Sequence, residues 1–128
     1  MWPKHCVQGS IGSEYIDSLD IDDENDIEVL KGQLKYVDSY SAFGGDGEET
    51  YLAWDLRERN VKKVFCVGLA YDFCVGRTAL SAAQEGFETY IIMEGTKSVN
   101  SETESVMRNL LEKVNVMSID LETFYAEH

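Results

Sequence analysis

Cys74 is the most chemically suggestive residue in the chain, because it follows Gly68-Leu69-Ala70-Tyr71-Asp72-Phe73, where a strand is predicted to turn into a helix. A thiol at a helix N-terminus faces free N–H groups and the positive end of the helix dipole, and both favour the thiolate. The same N–H groups could hold a developing oxyanion. The plainer reading is a small buried hydrophobe, which Cys66 in mid-strand is expected to be. Lys31 follows the apolar run 27–30 and, like Cys74, falls at the carboxyl end of a predicted strand. Open parallel sheets gather reactive groups on that rim. Its charge could favour a neighbouring thiolate or steady an oxyanion, although a lysine at a strand end more often faces solvent. His5 is one of two histidines, the other being His128. A protein metal site takes about three ligands, so spacing alone makes His5 a weak ligand candidate. Trp2 and Tyr40 lie in loops rich in Gly and Ser, where they could stack on a planar ligand or simply pack locally.

The elements that must position these groups alternate between strand and helix. Residues 27–30 read as a short buried strand. Thr50 is predicted to cap a helix through about residue 59, with Leu52, Ala53 and Leu56 on one face and Asn60 at its end. Residues 61–69 form a β-branched, nearly continuous apolar run, as a parallel strand covered on both faces requires. A helix is predicted over 73–84, with Ala79, Ala82 and Ala83 suited to close packing and Gly86 as its stop. A strand over 88–93 follows, then a helix over 101–113 carrying Val106, Leu110 and Leu111 inward, a strand over 115–119 and a last helical turn or two over 121–127. This alternation with short connections predicts an α/β fold, a parallel sheet covered by helices, as a single domain over 1–128.

Composition narrows the classes. The chain has 128 residues with 24 acidic and 11 basic side chains, a formal charge of −13. An acidic surface disfavours nucleic acid and anionic membranes as partners, since both attract Lys and Arg. No apolar run approaches the roughly 20 residues of a membrane span, and residues 1–10 carry no apolar stretch of the signal-peptide kind. With 44% hydrophobic residues there is material for a core. Three cysteines cannot all pair with one another, which predicts a reducing compartment such as the cytoplasm. The acidic tract 17–26 reads as a solvated loop, because its spacing does not follow a calcium loop.

Four blocks, in order, carry a resemblance over nearly the whole chain. Trp2-Pro3-Lys4-His5-Cys6-Val7-Gln8-Gly9-Ser10, Lys31-Gly32, Asp38-Ser39-Tyr40-Ser41-Ala42-Phe43 and Gly68-Leu69-Ala70-Tyr71-Asp72-Phe73-Cys74-Val75, with Thr78-Ala79 following, resemble the nicotinamidases among the isochorismatase-like cysteine hydrolases. The resemblance implies a three-layer α/β/α domain that hydrolyses nicotinamide, or a similar pyridine carboxamide, to the acid and ammonia in NAD salvage. It implies Cys74 as the nucleophile that forms a thioester, Lys31 as the lysine of a catalytic triad, and the N–H groups of Ala70 and Cys74 as an oxyanion hole beside a cis Leu69–Ala70 peptide. His5 would be one ligand of a divalent metal, usually zinc, and Trp2 and Tyr40 would be walls around the ring.

The same resemblance places a triad aspartate and an Asp-x-His metal pair ahead of the Trp-Pro block, and the 128 residues contain no Asp-x-His. The domain is therefore expected to be N-terminally incomplete, missing the first strands, with unpaired strand edges that make the chain alone marginally stable or aggregation-prone. Two other readings are a catalytically inactive fragment or pseudoenzyme and a sibling isochorismatase-type hydrolase with another substrate. The Trp-Pro-x-His block argues against the sibling. The resemblance leaves the oligomeric state open, a homo-oligomer included.

Overall fold

Chain alternation between apolar runs and helical stretches governs what folds where. The computed structural model describes residues 2–45 and 47–128, so Met1 of the opening block and Asp46 of the glycine-rich loop lie outside the described residues. A 3-10 turn, Ile11–Ser13, is followed by α1 (Leu52–Glu58), β1 (Lys63–Leu69), a π-turn (Tyr71–Val75), α2 (Gly76–Gln84), β2 (Glu88–Lys97), α3 (Ser101–Lys113), β3 (Met117–Ile119) and α4 (Leu121–Glu127). The three strands pair in parallel in the order β1-β2-β3. Lys63 through Cys66 lie beside Glu88 through Ile91. The register then shifts, and Gly68 lies beside Thr96.

Strand alternation sorts the side chains into two layers. Cys66 and Ile91 face one way, into a core with Ala79 of α2 and Met107 and Leu111 of α3. Phe65 and Tyr90 face the other way and stack at 4.9 Å, with Phe124 of α4 edge-on to Phe65 at 4.8 Å. Helices thus lie on both faces, the three-layer arrangement predicted. Asn100 and Asp120 cap α3 and α4 by accepting from the N–H groups of Thr103 and Thr123.

Several expectations need correction. Residues 27–30 form no strand, and Ile27 and Leu30 are exposed. A strand exists only through pairing, and among the described residues nothing pairs there. β1 starts at Lys63 and is not covered on both faces: Cys66 is buried, but Val67 is 55% and Leu69 76% exposed. β1 is an end strand whose outer edge has no partner among the described residues. Thr50 does not cap α1, because its Oγ1 donates to Ala42 O at 2.6 Å, and Tyr51 occupies the cap position. On α3, Met107 rather than Val106 points inward, since Met107 and Leu111 lie one turn apart on the buried face while Val106 is exposed. The acidic tract 17–26 is an exposed loop, as predicted.

Two outcomes follow from the packing. Gly76 sits where an added Cβ would collide with Tyr71 O and with Met107 Cγ and Sδ. Gly76→Ala is expected to cost about 2 kcal/mol through overpacking, read from the shift of a urea unfolding midpoint. The open β1 edge should make the purified chain self-associate as its concentration rises. Sedimentation showing a monomer at every concentration, with one cooperative melt, would contradict this.

Candidate active site

Lys31 reaches Cys74 because a loop is pinned onto α2. Ser41 Oγ donates to Ser81 Oγ at 2.8 Å, and Thr78 Oγ1 accepts from Ala42 N at 2.9 Å. Together with the Thr50–Ala42 bond, these hold residues 39–42 against the helix that continues from Cys74. The carbonyl of Ser39 then accepts from Lys31 Nζ at 3.0 Å, and Nζ lies 3.3 Å from Cys74 Sγ. The contact is part-buried, so Lys31 does not simply face solvent. The rim expected to bring these two residues together does so, although no strand lies beneath Lys31.

Cys74 lies in the π-turn, whose wider coil continues into α2. The N–H groups of Phe73 and Val75 both donate to Ala70 O, folding the turn back over Ala70. The Leu69–Ala70 peptide is cis, as the resemblance implied. Asp72, only 4% exposed, ties this turn to the start of α3. Its carboxylate accepts from Val99 N at 3.0 Å, from Asn100 N at 3.2 Å and from Thr103 Oγ1. Burial pushes the Asp72 carboxyl up, but the bonds from Thr103, Val99 and Asn100 outweigh it and hold it below the ordinary value. The sequence reading gave Asp72 no role beyond its motif, since its partners lie a whole βα unit away.

Aromatic rings gather on Phe73, the residue before Cys74. Trp2 Nε1 donates to Tyr40 OH at 2.9 Å. Phe73 meets Trp2 edge-on at 4.9 Å and Tyr40 at 5.5 Å. Trp2 and Tyr40 are therefore brought together. Phe73 is the ring the sequence reading missed, though its place beside Cys74 was the available signal. The other two thiols differ in setting: Cys6 is exposed, and burial pushes the Cys66 thiol up to about 11.

His5 is exposed, and its Nδ1 lies 2.6 Å from Pro3 O. A carbonyl only accepts, so Nδ1 is the donor, which leaves Nε2 as the nitrogen that a metal would take. One such donor is not a site. Among the described residues, no three His, Cys, Asp or Glu side chains gather as a cation would need. The donors present do not by themselves fit the zinc site that the resemblance implied.

Comparison with known proteins follows the same outline. The pattern of the isochorismatase domain matches residues 1–123. A nicotinamidase of Acinetobacter baylyi is 39% identical over 102 residues, covering 78% of this chain and 47% of the relative. The solved structure of an Acinetobacter baumanii nicotinamidase/pyrazinamidase superposes with a TM-score of 0.89 at 34% identity, covering 97% of this chain and 61% of that one. A pyrazinamidase of Pyrococcus horikoshii, solved in complex with zinc, has a TM-score of 0.81 at 31% identity, covering 94% of this chain and 64% of that one. The chain thus spans about half the length of the curated relative and about three-fifths that of the solved structures.

The Asp72 tie has a pH signature. A carboxyl held below its ordinary 3.8 contributes stability that is present above that value and lost as pH falls through the lower folded value. Asp72→Asn, which turns an amide donor toward donors, is expected to cost about 2 kcal/mol at pH 7. It should also flatten the loss of stability below about pH 4 relative to the parent. Urea titrations of both proteins from pH 2.5 to 7 measure this; parallel curves would exclude Asp72 as the source.

Proposed function

The chain belongs to the isochorismatase domain family, and from that premise we propose that it carries the nucleophile-bearing part of a nicotinamidase-type site. The reaction is hydrolysis of nicotinamide, or a close pyridine carboxamide, to the acid and ammonia. The observation that carries this reading is the 3.3 Å contact between Lys31 Nζ and Cys74 Sγ, an amine donor set against a nucleophile. The nicotinamidase likeness supplies the substrate class.

Cys74 Sγ, with Lys31 Nζ directed at it, attacks the carboxamide carbon as the thiolate. As the S–C bond forms, the carbonyl electron pair moves onto oxygen, where the N–H groups of Ala70 and Cys74 hold it. Collapse of that intermediate breaks the C–N bond. The nitrogen takes up a proton from solvent and leaves as ammonia, a thioester remains on Cys74, and the later addition of water returns one proton to solvent. Water then adds to the thioester and the C–S bond breaks, releasing the acid and restoring the thiolate. Trp2, Tyr40 and Phe73 border the ring.

These residues account for acylation. The water step asks for a base, and among the described residues no carboxylate bonds to Lys31 or Cys74. Asp72 is engaged by the α3 N-terminus, so it cannot supply that base. A zinc ion, where bound, would take His5 from this chain with other donors. The setting we assign is NAD salvage in the cytoplasm. A second reading is an inactive fragment or pseudoenzyme that binds the pyridine ligand without turning it over.

Two measurements on the intact chain separate these readings. Ammonia release from nicotinamide is expected, falling at least about 10³-fold in Cys74→Ala; release that persists in this variant would remove Cys74 as the nucleophile. Nicotinaldehyde should add its carbonyl carbon to Cys74 Sγ as a thiohemiacetal and protect that thiol from iodoacetamide. Protection without ammonia release supports the pseudoenzyme. Neither protection nor release would overturn both readings.

A further inference from the structure

Glu48 takes no part in the chemistry described so far, yet it is a carboxylate only 9% exposed. Its Oε1 accepts from Gly32 N at 2.8 Å and its Oε2 from Gln33 N at 2.7 Å. These are the two peptide N–H groups that immediately follow Lys31. A buried carboxylate is tolerated where its oxygens are matched by donors, and here both donors come from one turn. Gly32, at φ +70°, lets the chain reverse there.

Glu48 is itself held in place. Gly45 and Glu48 exchange backbone bonds of 2.8 and 2.9 Å, and Gly44, at φ +86°, leaves no room for a Cβ against Glu48 O. The Gln33 and Gly32 N–H groups also hold the Glu48 carboxyl below its ordinary value. The residues before Lys31 have no strand pairing among those described, so no ladder fixes the lysine backbone from that side. The four-carbon side chain of lysine would otherwise let its ammonium range widely.

We infer that Glu48 is a positioning residue: it clamps the backbone after Lys31 and so keeps Nζ on Cys74 Sγ. The inference rests on the reading of Lys31 and Cys74 as a working pair, and Glu48 touches neither the thiol nor a substrate. Glu48→Gln replaces one accepting oxygen with a donor that faces an N–H, which opens half of the clamp. Gly44→Ala displaces the same carboxylate without changing its charge.

The test follows alkylation of Cys74 in the full chain by iodoacetamide across pH, with mass spectrometry resolving the Cys74 peptide from those of Cys6 and Cys66. Glu48→Gln is expected to slow Cys74 about fivefold at pH 7 and to move its profile to higher pH, leaving Cys6 unchanged. In a Lys31→Met background the same substitution should have no further effect, because there is no ammonium left to place. If Glu48→Gln leaves the Cys74 profile unchanged, or slows it equally without Lys31, the clamp is refuted. Should Glu48→Gln fail to fold by circular dichroism, Gly44→Ala is judged by the same two criteria. Ammonia release tests the proposed hydrolysis and alkylation tests the clamp, so either can fail while the other stands.

Discussion

The contact between Lys31 and Cys74 joins segments 43 residues apart with one hydrogen bond, and much of the surrounding structure is needed to sustain it. Closing a loop of that length has an entropic cost that a single polar contact does not offset. The closure is shared instead among Ser41 on Ser81, Ala42 on Thr78 and Thr50 on Ala42, each a short side-chain bond at a chain position with no regular ladder. The Ser39 carbonyl then gives the ammonium a second acceptor, so its direction is set by two partners rather than one.

The two reacting side chains are each backed by a buried carboxylate that binds peptide groups. Asp72 holds the thiol-bearing turn to α3, and Glu48 holds the turn after the lysine. Neither carboxylate forms an ion pair among the described residues. Using peptide N–H groups as partners fixes the local backbone, whereas a bond to a flexible cation would fix only a side-chain tip. Among the described residues no carboxylate pairs with Lys31, whose Nζ is shared between the Ser39 carbonyl and the sulfur.

Legibility in the sequence divided along the chain. From residue 63 onward the signals are local: a β-branched run at β1, small residues Ala79 and Ala82 where α2 meets the core, and Gly86 just past the end of that helix. The resemblance also placed Lys31 as a triad partner of Cys74, and gave Trp2 and Tyr40 as walls around a ring without their direct contact. What escaped depends on distant partners. Residues 27–30 have strand composition but no neighbour to pair with among the described residues. Thr50 had cap chemistry, but the Ala42 carbonyl claimed its hydroxyl. Val106 and Met107 are both apolar, and only the position of the sheet decides which turns inward. Asp72 and Glu48 look like ordinary acidic residues until the N–H groups they bind are brought to them by folding.

Residues 2–45 contain one 3-10 turn and scattered turn bonds, yet they provide Trp2, Lys31 and Tyr40. Backbone with so few ladder bonds opens at a lower free energy than a packed sheet and its helices. Any ligand held between those residues and Cys74 binds the closed arrangement alone and so shifts that equilibrium by mass action, about 2.7 kcal/mol at a hundredfold excess over its Kd. The two halves of the site therefore answer to different controls. The order around Cys74 is set by the chain's own core, and the order around Lys31 varies with the concentration of what binds there.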